Sequence, residues 1–551
     1  MKCIANANIY VERDTFAQAM LIDPTGCIVC VGDEAFVRSQ MPAETTIVDA
    51  HGKTIVPGFN DSHLHLLMSG ANLCELDLKT ADSIETLVRL GRDHLERHQP
   101  PAGTVIHGFG WNQERFDDRR MPTRDDLDRI STTHPIVFER TCCHIAVCNG
   151  LALEMAGIDA STPDPRGGRI DRVDGRPTGI LRENTLDRVR PLYQTLDVET
   201  KARRLEAAMR HAASFGITSV QSCDLYGNDW KSTWDAFDRV LAKRPAVRVY
   251  HQFHFVESAL LDDFFARGLA MGSGNAFNRV GPLKLFVDGS LGARTALLRS
   301  PYRDDPSTSG VATLSDEALK SLIRKAAQHQ TGVIVHAIGD GAVEMTLDAF
   351  EQTDPSGDNP LRNGIVHVQI TDTSQLQRLR ERHLFAYVQP IFLDADIGIV
   401  ADRVGTELAS TSYAFGTLIR SGVPTSFGTD SPIESMNPFE NMYCAATRRP
   451  LNATEGAAFV PKERIDLSAA LDAYTIEGAR ASFEELRKGR LKAGYVADFA
   501  VLDRNIFALE PEQWRRTRVL LTVLAGRATY RSSDCGQDFF RFNDESLCGI
   551  G

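Results

Sequence analysis

The strongest constraint on the fold is an alternation of helix and strand signals that repeats from about residue 200 onward. "TKARRLEAAMRHAASFGITSVQS" offers Thr200 as a helix N-cap and sets Leu205, Ala208, Met209 and Ala212 at helical spacing; it stops at Gly216 and runs on into "ITSVQ". "SDEALKSLIRKAAQHQTGVIVHAIGD" repeats the design, with Ser315 as cap, acidic residues in the first turn, and Leu319, Leu322, Ile323 and Ala326 on one face before "GVIVH". Strands joined by helices run parallel, so the alternation predicts a parallel sheet or barrel. Counting from Gly58 gives "GFNDSH", "TSVQ", "VRVYHQFHF", "LKLFVD", "GVIVH", "GIVHV", "FAYVQ" and "PTSFGTD". Eight such strands predict an α/β fold of the (β/α)8 TIM-barrel type over residues 58–487.

Two more strand candidates, "TVIHGFG" (104–110) and "PIVFE" (135–139), fall in the interval of about 70–200. That interval is too long for one crossover and reads as an insertion after the first barrel strand. Residues 1–57 carry short strand signals without a helical pattern, and "GRLKAGYVADFAVLDRN" and "RVLLTVLAGRATYRS" return to the same pattern near the other end. Residues 1–57 and 488–551 are therefore expected to form one small β-sandwich domain.

No run of about 18 apolar residues occurs, so no membrane span is expected. A net charge of -12 without a sustained basic patch argues against a nucleic-acid surface. The opening "MKCIANANIYVERD" does not have the form of a secretory signal, and 11 cysteines in 551 residues are too sparse for a disulfide scaffold; both point to the cytoplasm. Cys27 and Cys30 in "CIVC" have the spacing of a redox or zinc motif, but three residues apart on a strand they point to opposite faces and read as an incidental pair.

Barrel chemistry sits at the C-terminal ends of the strands. The first strand ends in His63 and His65, which a period of two sends to one face. The fourth carries Lys284, the fifth ends at His336, the sixth holds His367, and the eighth ends at Asp430. Each alone has an ordinary explanation as a packed, surface or capping residue. Together, at related positions, they point to a metal centre.

These stretches, with "HIAVCNGLAL", "LKLFVDGSLGARTALL", "VIVHAIGDGAV", "FGTDSP" and "GYVADFAVLDRN", resemble the amidohydrolase superfamily. The resemblance spans nearly the whole chain and is strongest to amidohydrolase family 3, the branch with YtcJ-like proteins and N-substituted formamide deformylases. It implies that His63, His65 and Asp430 bind one metal and His336 and His367 another, with Lys284 bridging them as a carbamate formed from CO2. An unmodified ammonium has no lone pair and would repel two cations, whereas a carbamate is a bidentate oxygen ligand. Zinc is the implied ion, one or two per chain with two favoured.

The implied activity is hydrolysis of a carbon–nitrogen bond in a small-molecule amide, N-formyl or N-acyl compound, by a hydroxide held between the ions. Asp430 would act as general base and then acid. His144 is a second catalytic candidate, and Arg294, Trp111 and Gln389 are candidates for substrate binding. A mononuclear aminohydrolase acting on a heterocycle is the alternative enzyme, and an inactive binding homologue the alternative outside enzymes. A homo-oligomer stays open. One departure stands out: relatives often carry Glu before the sixth-strand histidine, where this chain has Val366.

Overall fold

The computed structural model describes all residues except 118, 141–144, 166–167, 195, 244, 454–455, 537–538, 540–541 and 543–551. The chain separates into two compact units, residues 1–68 with 208–551, and residues 69–207.

The first unit holds an eight-stranded parallel sheet in chain order: β1 (Phe59–Leu64), β2 (Ile217–Tyr226), β3 (Arg248–His254), β4 (Asn278–Phe286), β5 (Val333–Ala337), β6 (Gly364–His367), β7 (Phe385–Val388) and β8 (Thr425–Phe427). These strands are buried at nearly every position, and in β1, β2 and β8 the buried residues include many polar side chains. The ring is drawn shut where the chain leaves β8. The Asp430 N–H donates to the His63 carbonyl at 2.8 Å, and the Thr429 N–H and hydroxyl donate to the Asp61 carboxylate at 3.1 and 2.6 Å.

The same unit contains two further sheets. One has four strands, Ile28–Gly32, Ala19–Ile22, Lys2–Ala5 and Thr46–Asp49 in that order. The other has six and mixes the two ends of the chain, with Thr54–Pro57 antiparallel to Phe499–Leu502. Ile4, Met20, Ile55, Phe499, Val501 and Leu521 belong to one apolar core between them. Phe539 and Phe542 are buried in that core, Phe542 meeting Phe499 edge to face at 5.8 Å. Arg248 of β3 ties the barrel to these sheets through a buried ion pair, its Nε 2.9 Å from Asp498 Oδ2.

The second unit is built on a six-stranded mixed sheet that includes Ile106–Trp111 and Ile136–Arg140, the two strands expected within the insertion. At its edge His107 stands between two carboxylates. Its Nδ1 donates to Glu75 at 2.9 Å and its Nε2 lies 3.7 Å from Glu139, while the ring stacks on Tyr193 at 4.1 Å.

Ser315 caps its helix as expected, accepting from the Ala318 N–H at 3.2 Å. Thr200 does not cap: the helix Val198–Ser214 starts ahead of it, and Asp197 accepts the Thr200 N–H at 2.7 Å. A carboxylate there both satisfies the free N–H and opposes the helix dipole. Cys27 and Cys30 are both free thiols. Among the described residues no helix is long and apolar enough to cross a membrane.

Candidate metal centre

Strand periodicity and the backbone beyond the strand ends bring the imidazoles together. His63 and His65 sit with ring centroids 5.4 Å apart, His63 and His367 5.9 Å, and His336 and His367 4.4 Å. His367 and Asp430 are turned inward by left-handed backbone, φ +82° and +56°, and Val368 follows at φ +50°. A β-branched residue in that region is strained, and such strain clusters at functional sites.

Hydrogen bonds on the outer nitrogens fix which ring nitrogen faces the centre. His63 Nδ1 lies 2.5 Å from Gln252 Oε1, whose own Nε2 donates to the Ser62 carbonyl at 2.9 Å; the amide orientation is therefore set and the ring must donate. His367 Nδ1 donates to Gln389 Oε1 at 2.8 Å, and that amide is fixed by its bond to the Tyr387 carbonyl at 3.2 Å. His65 Nδ1 donates to the Cys223 carbonyl at 2.7 Å. His63 and His367 therefore present an unprotonated Nε2 inward, whereas His65, its burial outweighed by Asp430 and its pKa raised, turns its Nε2 to that carboxylate. His336 is reversed: its Nε2 donates to the Gly289 carbonyl at 3.0 Å, with Asp288 Oδ1 3.3 Å away, leaving Nδ1 as the lone-pair nitrogen.

Asp430 completes the convergence, its Oδ1 lying 3.4 Å from His63 Nε2 and 3.2 Å from His65 Nε2. The donor atoms of His63, His367 and Asp430 all lie within 4.8 Å of one another. Electron-rich atoms facing each other in a buried site repel unless a cation lies among them, so the donor set fits a divalent ion. Lys284 fits in another way: its Nζ is fully buried, has no hydrogen-bond partner among the described residues, and lies 3.6 Å from the centroid of the Phe286 ring.

The electrostatics follow the geometry. Burial pushes His63 down to about 3, with Asp430 opposing and Lys284 adding to the fall. Burial also drives His367 well below the ordinary imidazole value, helped by His336. For Asp430 burial acts upward, but the hydrogen bond from His65 and the neighbouring imidazoles outweigh it and hold the carboxyl below its usual range. Burial lowers Lys284 to about 8, so a neutral amine, the form that can add CO2, is accessible near neutral pH.

Of the other expected residues, His144 lies outside the described residues. Trp111 is a fully buried core side chain of the second unit, its indole N–H donating to the Phe138 carbonyl at 2.9 Å. Arg294 is paired with Asp304 at 2.9 Å, beside Arg403 on the same carboxylate, an arrangement that shapes the loop after β4. Gln389 faces His367 and accepts its ring N–H, a partner that the apolar Val366 does not offer. Sequence reasoning missed Gln252 and Asp288. Asp288 receives the N–H groups of Leu297 and Gly339 at 2.9 and 2.8 Å besides facing His336, and it lies inside the quoted stretch "LKLFVDGSLG".

The amidohydrolase family model matches residues 46–530, most of the chain and every ligand candidate. The chain belongs to the amidohydrolase family. This amidohydrolase is 34% identical over 494 residues to the YtcJ protein of Bacillus subtilis, covering 89% of this chain and 91% of that one. It is 28% identical over 548 residues to the N-substituted formamide deformylase of Arthrobacter pascens, covering 96% of this chain and 98% of the relative. Among solved structures, an uncharacterised metal-dependent hydrolase from Pyrococcus furiosus superposes with a TM-score of 0.76 at 31% identity, covering 93% of this chain and 99% of that one.

Proposed function

We propose that this amidohydrolase cleaves the carbon–nitrogen bond of a small-molecule amide, with N-formyl and N-acyl compounds as the substrate class. One observation carries the metal-dependent part: the inward lone pairs of His63 and His367 meet the Asp430 carboxylate in a buried site, their donor atoms within 4.8 Å of one another, where a divalent cation would relieve the repulsion. The named activity of the Arthrobacter relative supports the bond type.

His63, His65, His336, His367 and Asp430 would hold the ion or ions, with Lys284 joining as a carbamate. A bound divalent ion such as zinc supplies Lewis acidity at the carbonyl oxygen and lowers the pKa of water to about 7. Asp430, kept ionised in its pocket, takes a proton from the attacking water on its carboxylate. It then returns that proton to the departing nitrogen, which leaves as a neutral amine. Asp288 holds His336 and the loops after β4 and β5 in place during both steps.

The test is metal content and turnover of the full chain dialysed against zinc, screened on N-formyl, N-acyl and cyclic amides. Two ions per chain with amine release support the proposal. A chain that retains no divalent ion sinks it. The compact triad of His63, His367 and Asp430 favours a second reading, one ion per chain in a deaminase; ammonia release from a heterocycle with one bound ion would select it.

A further inference from the structure

Gln252 and Gln389 occupy matching places behind the two imidazoles of the donor triad. Both are buried, at 0% and 2% exposure. Each amide is locked by its own N–H bond to a backbone carbonyl, Ser62 or Tyr387, and each turns its oxygen to the Nδ1 of a histidine. A neutral imidazole has one N–H, and whichever acceptor holds it decides where the lone pair points. Without that acceptor the ring is free to change tautomer or rotate; the first puts a proton on Nε2 and the second turns it away, and either removes its lone pair from the centre. His65 and His336 are held differently, by the Cys223 and Gly289 carbonyls, with the Tyr226 hydroxyl and the Asp288 carboxylate beside them. With Val366 apolar and buried, the partner of His367 is supplied from the end of β7 instead.

We infer that Gln252 and Gln389 are a pair of positioning residues that fix the tautomer and direction of His63 and His367, and so set how tightly the centre holds a divalent cation. The inference rests on the metal-dependent reading above. It also separates the two amides from the substrate: they act through the histidines.

The experiment is the zinc affinity of the full chain, measured by competition with a chelating dye, for the wild type, Gln252→Leu, Gln389→Leu and Gln389→Glu. Leucine keeps similar volume and loses the acceptor, so each Leu variant should bind zinc about 10- to 100-fold more weakly, the usual cost of losing such a partner. Glu at 389 keeps an oxygen for the ring N–H and should stay within a few-fold of wild type. Thermal unfolding of the metal-free samples provides the control. Gln252 also ties β3 to β1, so if its Leu variant does not fold, the Gln389 pair of variants carries the test alone. Leu variants with wild-type zinc affinity, or a Glu variant as weak as the Leu variant, would overturn the inference. A wild-type chain that binds no zinc would overturn the metal-dependent reading along with it, so the two failures are distinguishable.

Discussion

The proposed mechanism gives Asp430 two tasks at one carboxylate, as a donor to the centre and as the carrier of a proton, and substitution can separate them. Asp430→Asn keeps a neutral oxygen in the site while removing the base. Turnover should fall by roughly 10² to 10⁴, with metal content falling far less. Metal per chain measured beside turnover checks this, and an Asn variant with its metal and near wild-type rate would assign the proton transfer elsewhere. Lys284→Ala should behave oppositely, losing metal along with activity, because the proposed carbamate bridge is lost with the fully buried Nζ, which has no hydrogen-bond partner among the described residues. Such residues were legible because a histidine, lysine or aspartate ending an apolar strand run is conspicuous. Gln252 was not, since a glutamine inside "VRVYHQFHF" looks like an ordinary polar position, and only the fold reveals which ring stands opposite it.

Among the elements, the strands of the barrel were readable from their alternation with helical patterns and those of the insertion from short apolar runs, but the ion network in the second unit was not. Glu75, His107, Glu139 and Tyr193 come from four separate segments, and no spacing in the sequence links them. Burial disfavours charge on His107, yet the two carboxylates outweigh it and raise the ring from 6.5 to about 9. A raised pKa stabilises the fold fully below the unfolded value near 6.5 and loses that contribution as pH climbs through about 9. Thermal unfolding of the full chain should therefore show a transition of the second unit that weakens over this alkaline window. His107→Gln should be less stable at neutral pH and flat across the window; a variant with the wild-type pH slope would show that other groups are responsible.

For the whole molecule, the sheets flanking the barrel depend on partners from both ends of the chain. Asp498 neutralises the buried Arg248 and also accepts the Ala525 N–H at 2.6 Å. Asp498→Ala should cost about 3 to 5 kcal/mol in chemical denaturation, because it leaves a buried guanidinium uncompensated. Phe542→Ala should cost a similar amount, about 3 to 5 kcal/mol, by opening a cavity in the core between the sheets. A loss under 1 kcal/mol in either variant would mean that the end segments are peripheral to stability. The packing of the tail after Ser533 was not legible in the sequence, because three phenylalanines close together in a polar stretch show no clear periodicity. The closure of the ring has its own consequence for the order of events in synthesis. Thr429 meets Asp61 across 368 residues, and the Asp430 N–H bonds the His63 carbonyl beside it, so the first and last donors become neighbours only when the eighth strand has been made. A nascent chain stopped short of that point has its histidine pair and no carboxylate to face it. Under the proposed metal-dependent activity, metal capture would follow completion of the barrel, and an interrupted chain would go without the ion whose binding energy would help hold it folded.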